Sequence, residues 1–436
     1  MKVNFQALGC RLNEAELESW SNQFIESGFQ LTTDSSEADL VVFNSCSVTA
    51  EADRKSRKFI NRIHKSNPQS RLVVTGCYAS LQTEQVEKQL GVDLVVSNQQ
   101  KDDLLQLVQA KFDLPEYTVQ TGDNSSIFAR GRHRAFIKIQ DGCRYRCTFC
   151  IVTVARGAER SRTQQEIIEE IKRHHQHGVQ EIVITGVHVG GYGSDTGTNL
   201  YELLSAILDQ TAIPRIRLAS VEPWDLPDNF FELFKDSRLM PHMHLPLQSG
   251  SDSVLRRMAR RCKTAEFARL VDKARSSISF FNITTDLIVG FPGETEQEWA
   301  ATMKFVENIG FGHMHIFSYS KREGTRAAGL SDQIPDSVKK QRSQQMHELA
   351  TSLKSKAMQE LIGQQCEVLW ENSLGQASAE WAGYTPHYHK LVMNSPEIKN
   401  AQISIARISG YSPKNMRLVG DSPFPLPQKQ IEIAFP

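Results

Sequence analysis

Short apolar runs alternate with helical periods along the first hundred residues. Lys2–Leu8, Asp39–Phe43 and Arg71–Thr75 read as strands, and Asn13–Ser27 and Arg54–Ser66 read as helices. Strand, helix and strand in succession is the βαβ pattern of an open α/β sheet. Asn13, with Glu16 three residues on, suits a helix N-cap, and Gly28 suits the left-handed residue that ends the helix. The alternation resumes at Ala135, with strands expected at Ala135–Ile139, Glu181–Thr185, Arg215–Ser220, His242–Leu247, Asn282–Val289 and His313–Tyr319. Six strands separated by helical stretches predict a partial (β/α)6 barrel rather than a closed eight-stranded one. Pro335–Leu361 reads as one long helix, after which Cys366–Trp370, His387–Met393 and Ala401–Ile408 suggest a small β-barrel with an extended tail at Pro423–Pro427. Residues 114–132, rich in turn formers, read as a linker. The expected class is α/β: an N-terminal open α/β domain over 1–115, a partial barrel with its connecting helix over 130–362, and a small β-barrel over 363–436.

Composition narrows the functional classes. At roughly 150 residues per domain, 436 residues suit about three units, and 40% hydrophobic with 23% charged residues supports folded cores. Fifty basic residues balance fifty acidic ones, so attraction to nucleic acid has to come from local patches. The first ten residues lack a charged segment leading into an apolar one, and no apolar run reaches the ~18 residues of a membrane span. The expectation is a cytoplasmic protein without a membrane. Its eight cysteines would stay reduced there, so metal or redox chemistry outranks a disulfide framework.

Six of those cysteines form two groups. Cys10, Cys46 and Cys77 each follow one of the first three apolar runs, and parallel strands would gather them at the carboxyl edge of one sheet, where open α/β sheets bind ligands. Cys143, Cys147 and Cys150 stand at C-x3-C-x2-C spacing just after the first barrel strand. Three thiolates can hold three corners of a cubane iron–sulfur cluster and leave one iron open to a substrate. A zinc site is the rival reading, with His133 as the fourth ligand.

The Cys143 motif, followed by Ile151–Arg162, resembles the radical S-adenosylmethionine (SAM) superfamily, and specifically its methylthiotransferases. Gly9-Cys10, Asn44-Ser45-Cys46 and Thr75-Gly76-Cys77 look like that family's second-cluster domain, and the C-terminal residues look like its TRAM module. His244–Ser251 and Asp286–Thr295 resemble further family segments. The resemblance implies two 4Fe-4S clusters and SAM. Cys143, Cys147 and Cys150 would hold the cluster that chelates and reductively cleaves SAM, giving a deoxyadenosyl radical that removes hydrogen from carbon. Cys10, Cys46 and Cys77 would hold the cluster that presents a methylated sulfur for insertion. Gly186, Gly190 and Gly191, after the second barrel strand, would let backbone approach the cofactor closely, with Tyr192 standing where the superfamily's Gly-Gly-Glu motif has its glutamate. Ser220 and Glu222 are expected as ribose or amino-group partners.

Other clusters carry ordinary readings. Cys262 and Cys366 lack partners at ligand spacing and read as small hydrophobes. His174, His175 and His177 read as a solvated helix end, and His242 and His244 would face one side of a strand without a metal. Basic runs at 130–162, 54–65 and 256–263 favour RNA phosphates as ligands. Asn44–Thr49 with the following Glu51–Arg57, and Gly383–Tyr388, resemble the threonylcarbamoyl branch of the family. That resemblance implies methylthio insertion at carbon 2 of threonylcarbamoyladenosine in the tRNA anticodon stem-loop, with a flavodoxin or ferredoxin type electron donor. Isopentenyladenosine in tRNA, a ribosomal-protein side chain, and a non-enzymatic iron–sulfur or RNA-binding role are the alternatives.

Overall fold

The computed structural model describes residues 1–114, 133–374 and 379–424; the expected linker after residue 114 and the tail after residue 424 lie outside them. The N-terminal unit is a five-stranded parallel sheet of β1 (Lys2–Ala7), β2 (Gln30–Leu31), β3 (Leu40–Ser45), β4 (Arg71–Gly76) and β5 (Leu94–Val96), in the order β2-β1-β3-β4-β5. Strand periodicity divides β3 between two cores. Leu40 and Val42 pack with Phe5, Leu17 and Phe24 on one face, and Val41 and Phe43 pack with Ile60, Ile63 and Tyr78 on the other. Such a doubly covered strand has no polar face to show in sequence. β2 and β5 escaped the sequence pattern because two and three residues are too few to display a period.

The first helix runs Arg11–Glu26 and is capped by Cys10, so Asn13 is not the N-cap expected from sequence. Asn13 lies in the first turn, and its side-chain amide donates to Leu8 O at 2.8 Å instead. Gly28 does terminate the chain direction after this helix, with φ of 80°.

The central unit follows the predicted alternation. It comprises β6 (Arg134–Lys138), β7 (Gln140–Asp141), β8 (Arg160–Ser161), β9 (Glu181–Thr185), β10 (Arg215–Leu218), β11 (His242–His244), β12 (Asn282–Val289) and β13 (His313–Ser318). Parallel sheets β6-β9-β10 and β11-β12-β13 are joined by bridges Ile216–Leu239 and Ser220–His244 into one arc of six strands, a partial barrel. The short antiparallel pair β7–β8 frames the cysteine loop. Helix Arg11–Glu26 of the first unit packs on the β6 side of the arc through Ala15 against Phe136 and Val183. A helix over Asp336–Gln359 leads to the closed five-stranded barrel of β14 (Gln365–Ser373), β15 (Glu380–Tyr384), β16 (Lys390–Asn394), β17 (Ile403–Ser412) and β18 (Arg417–Phe424). Buried Glu181 accepts from Arg215 at 2.9 Å and Arg217 at 3.1 Å, and these arginines also donate to the carbonyls of Tyr384, Thr385 and Pro386. That charge cluster fastens the small barrel to the floor of the arc.

Candidate active site

The Cys143–Cys150 loop is held by backbone hydrogen bonds, within itself and to Gly157 and Met258. Cys143 N–H donates to Gly157 O at 3.1 Å, Cys150 N–H to Cys147 O at 3.1 Å, and Thr148 N–H to Met258 O at 3.0 Å. Gly142 is required here: its φ is 72°, and a Cβ would meet Ala158 O at 1.8 Å. The three thiols influence one another, and burial pushes Cys143 up to about 12 and Cys150 to about 11. Thiolates in such a setting need a cationic partner, which suits an iron–sulfur cluster. His133 borders a different cavity, beside Cys10 and Cys46, so it does not complete a zinc site with this triad.

Around the loop stand residues that spacing could not reveal. His188, fully buried, contacts Asp225 Oδ2 at 2.6 Å through Nε2 and Glu159 through Nδ1. Tyr145 donates to Asp225 at 2.8 Å, and Arg144 pairs with both Glu159 at 3.3 Å and Asp225 at 3.1 Å. Burial opposes protonation of His188, but its hydrogen bonds and the flanking carboxylates overcome this and raise it. Glu222 lies near Cys143 with only 14% of its side chain exposed, so it is not a solvated loop carboxylate. Its Oε2 faces His188 Nε2 at 3.7 Å but has no hydrogen-bond partner among the described residues, and burial raises its affinity for a proton against the pull of His188. An orphaned acceptor beside the triad fits a cofactor that brings an amino group or hydroxyls.

Gly186, Gly190 and Gly191 are explained by packing within the protein. A Cβ would meet Gln140 Oε1 at 3.1 Å from Gly186, Asp225 Cβ at 3.0 Å from Gly190, and His188 Nδ1 at 2.2 Å from Gly191. Tyr192 is buried, and its hydroxyl donates to Arg162 O at 2.8 Å, so it does not replace a cofactor-binding glutamate. Ser220 instead borders a cavity in the barrel lumen.

The N-terminal sheet brings its three cysteines to one edge. Ala7 pairs with Asn44, and Asn44 with Thr75, so the next residues of β1, β3 and β4 lead into Cys10, Cys46 and Cys77 at matching heights. Gly9, at φ of 115°, admits Cys46, whose Sγ would lie 2.8 Å from a Cβ there. Cys46 and Cys77 are buried, and burial pushes the Cys46 thiol to about 11.

Between the triads lies a buried charge network. Arg156 pairs with Glu16 at 2.9 Å and Asp141 at 3.1 Å, and donates to Asn13 Oδ1 at 2.8 Å. Lys101 reaches Glu16 at 2.5 Å and also Asp141, and Lys138 reaches Asp141 at 3.1 Å. Burial opposes ionisation of Glu16 and Asp141, but Arg156 and the two lysines overcome it and hold both carboxyls well below their usual range. Asp102, 4.0 Å from Lys138, brings the carboxylates to three, against the three cations of this network. The network stands near both thiol groups, since Asp141 is two residues before Cys143 and Asn13 three after Cys10.

This geometry corrects two sequence readings. The basic run at 130–162 is partly internal: Arg134 and Arg156 are buried, and these two with Lys138, Arg144 and Arg162 are each paired with carboxylates, whereas Arg146 and Arg160 are exposed. In the run at 256–263, Arg257 pairs with Glu298 at 2.7 Å, and Arg260 approaches Cys147 Sγ at 3.9 Å over the Trp224 ring. His174 is buried with Glu170 and Glu18 each at 3.8 Å, because it falls on the same helix face as Ile167 and Ile171. Cys262 is buried, in keeping with its reading.

An arc of six parallel strands with three cysteines after its first strand has the architecture of a radical SAM enzyme. The chain matches the Radical SAM superfamily over residues 137–306 and the family described as Uncharacterized protein family UPF0004 over residues 2–97. It is similar to the Bacillus subtilis (strain 168) threonylcarbamoyladenosine tRNA methylthiotransferase MtaB, 35% identical over 427 residues and covering 94% of each chain. The MtaB of Thermotoga maritima is 36% identical over 413 residues, covering 90% of this chain and 92% of that one. A tRNA-2-methylthio-N(6)-dimethylallyladenosine synthase of Oceanobacillus iheyensis is 34% identical, covering 93% and 80%. Among solved structures, the radical SAM methyltransferase TsrM of Kitasatospora setae shares the fold at a TM-score of 0.56 and 15% identity, covering 72% of each chain. The chain belongs to the radical SAM tRNA methylthiotransferase family, whose members use SAM and 4Fe-4S clusters. No described helix is long and apolar enough to cross a membrane.

Proposed function

We propose that the protein inserts a methylthio group at carbon 2 of threonylcarbamoyladenosine in the tRNA anticodon stem-loop, with Cys143, Cys147 and Cys150 holding the SAM-binding cluster and Cys10, Cys46 and Cys77 holding the second. The carrying observation is the pair of thiol triads on either side of one buried charge network, in a chain that aligns with MtaB proteins along nearly its whole length. When bound, the clusters and SAM supply electron transfer, sulfonium cleavage and the methylthio group. The chain's own residues orient and exclude water. Glu222 offers an oxygen without a hydrogen bond to the cofactor's amino group or ribose, and the His188 cluster fixes the loop that carries Gly186, Gly190 and Gly191. Arg156 places positive charge beside thiolates that burial disfavours. Ser220 lines the cavity in the barrel lumen. A cytoplasmic site of action and a flavodoxin or ferredoxin type electron donor complete the reading.

Nucleoside mass analysis of cells lacking the gene tests it. Threonylcarbamoyladenosine should accumulate without its methylthio group. Loss of methylthio from isopentenyladenosine alone would transfer the protein to the other branch.

A further inference from the structure

A cavity of about 580 Å³ occupies the barrel lumen between Ser220 and the turn that carries Tyr388, a size within the ~300–1,000 Å³ of small-molecule sites. Its charges are lopsided. Arg11, Arg217, Lys354, Lys390 and Arg417 border it, against the single carboxylate of Asp286. Asp286 is engaged by His244 Nε2 at 3.2 Å, and Arg217 by Glu181. Arg11 and Lys354 have no carboxylate partner among the described residues. The Arg11 guanidinium donates to the Tyr388 hydroxyl at 3.0 Å and lies 5.0 Å over the Phe136 ring, both neutral groups. Lys354 is half-buried, and burial lowers its ordinary proton affinity. Both act on His315: burial first lowers that ring's affinity for a proton, Asp286 raises it, and Arg11 and Lys354 lower it further. His244, Asp286 and His315 converge closely enough to ligate a metal, but two unpaired cations beside them oppose a cation and favour an anion.

The cavity is continuous with the sulfur side of the molecule. Arg11, His315, Tyr384 and Tyr388 also border a second cavity that Cys10 and Cys46 line. Tyr388 holds left-handed backbone at φ of 65°, a costly conformation for a bulky residue, and thereby presents its hydroxyl to Arg11 from the β-barrel unit. A purine whose C2 faces the cysteines carries its exocyclic 6-amino substituent on the same edge, separated from C2 by N1, where a substituent can reach from the cavity of Cys10 and Cys46 into the one that these two cations border. An isopentenyl group there would leave both unpaired and desolvated, whereas a carboxylate would answer them.

We propose that Arg11 and Lys354 form the receptor for an anionic group on the substrate base, the carboxylate of the threonylcarbamoyl substituent. The inference rests on the proposed function above. An RNA phosphate shares the same anion chemistry, and the experiment separates the two sources. Three stem-loop RNAs of one sequence, carrying threonylcarbamoyladenosine, its neutral methyl ester or unmodified adenosine, are titrated into the reconstituted holoenzyme and followed by fluorescence anisotropy. The free carboxylate should bind roughly 10- to 100-fold more tightly than the ester, the range of a charge-assisted hydrogen-bond pair. Arg11→Gln and Lys354→Gln should each remove most of that preference while leaving affinity for unmodified RNA in place. Arg11→Lys, which keeps the charge, should retain part of it. A double variant that still prefers the carboxylate overturns the receptor. Equal weakening with all three RNAs assigns the residues to phosphate and overturns it as well. If wild-type enzyme shows no preference and modifies isopentenyladenosine, the substrate reading has failed; if it modifies threonylcarbamoyladenosine while the double variant still discriminates, only the receptor has failed.

Discussion

The two thiol triads solve the same problem by different routes. Cys143, Cys147 and Cys150 come from one loop shaped by Gly142 and by backbone bonds to Gly157 and Met258, whereas Cys10, Cys46 and Cys77 are 36 and 31 residues apart and depend on the register of three strands. A slip of one residue between β1 and β3 would displace a thiol by about 3.3 Å. The spacing of the first triad is therefore set within one segment that the barrel anchors at Thr148, and that of the second by the pairing of a whole sheet. Iron retention at the second should track global stability, and at the first should track the integrity of the loop.

Single substitutions can break that comparison, and the largest effect belongs to the loop. Cys147→Ala should abolish reductive SAM cleavage, measured as deoxyadenosine formed under dithionite, because the open iron needs all three ligands. Full cleavage by this variant would remove the loop from the SAM-binding role. Cys46→Ala should form deoxyadenosine yet transfer no methylthio group, and normal transfer would reduce the N-terminal cysteines to structural residues. Arg156→Met comes next. It leaves Glu16 and Asp141 buried with lysines only, at a cost of about 3–5 kcal/mol in urea unfolding. Because Arg156 touches both units, both triads should release iron faster than wild type, and loss confined to one would show that the network serves a single side. Glu222→Gln should weaken SAM binding roughly tenfold by calorimetry while leaving iron content unchanged, as expected for a carboxylate that contacts cofactor rather than metal.

The sequence carried the strands of the arc because their apolar runs were bounded by breakers: Glu181–Thr185 and Asn282–Val289 form with the expected limits. It carried the cysteines because their chemistry is rare and their placement after strands is a rule of the fold. It could not carry the Arg156 network, since Glu16, Lys101, Asp141 and Arg156 are ordinary charges until a fold buries them together. For the same reason Arg134, Lys138 and Arg156 resembled a phosphate-facing run. His188 hid in a glycine-rich loop because nothing local announces Glu159 and Asp225 on either side of it. His174 was legible in principle, since a period of three to four from Ile167 and Ile171 reaches it.

The smallest expected effect sharpens the contrast between buried and exposed charge. Helix Ala50–Ser66, next to Cys46 in sequence, presents Arg54, Lys55, Arg57 and Lys58 to solvent, and among the described residues Arg54 alone of these has an ion pair, with Glu51 at 2.6 Å. Exposed pairs of that kind contribute about 0–1 kcal/mol, so the helix is held by its apolar face and not by these charges. Replacing Lys55, Arg57 and Lys58 by Gln should leave thermal stability within roughly 0.5 kcal/mol of wild type. RNA binding is where they should appear. Every cation withdrawn from a phosphate flattens the plot of log affinity against log salt by about 0.7–0.9, so the triple variant should lose about 2–3 from the slope if all three meet phosphate. Arg54→Gln should change it less, because Glu51 already neutralises that guanidinium. The buried cations give the opposite pattern: Arg156→Met alters stability and spares the salt slope, since a guanidinium bound to two carboxylates has no phosphate to release. A triple variant with an unchanged slope would mean that this helix face meets only water, and would turn the search for phosphate contacts to other exposed cations such as Arg256, Arg261 and Lys263.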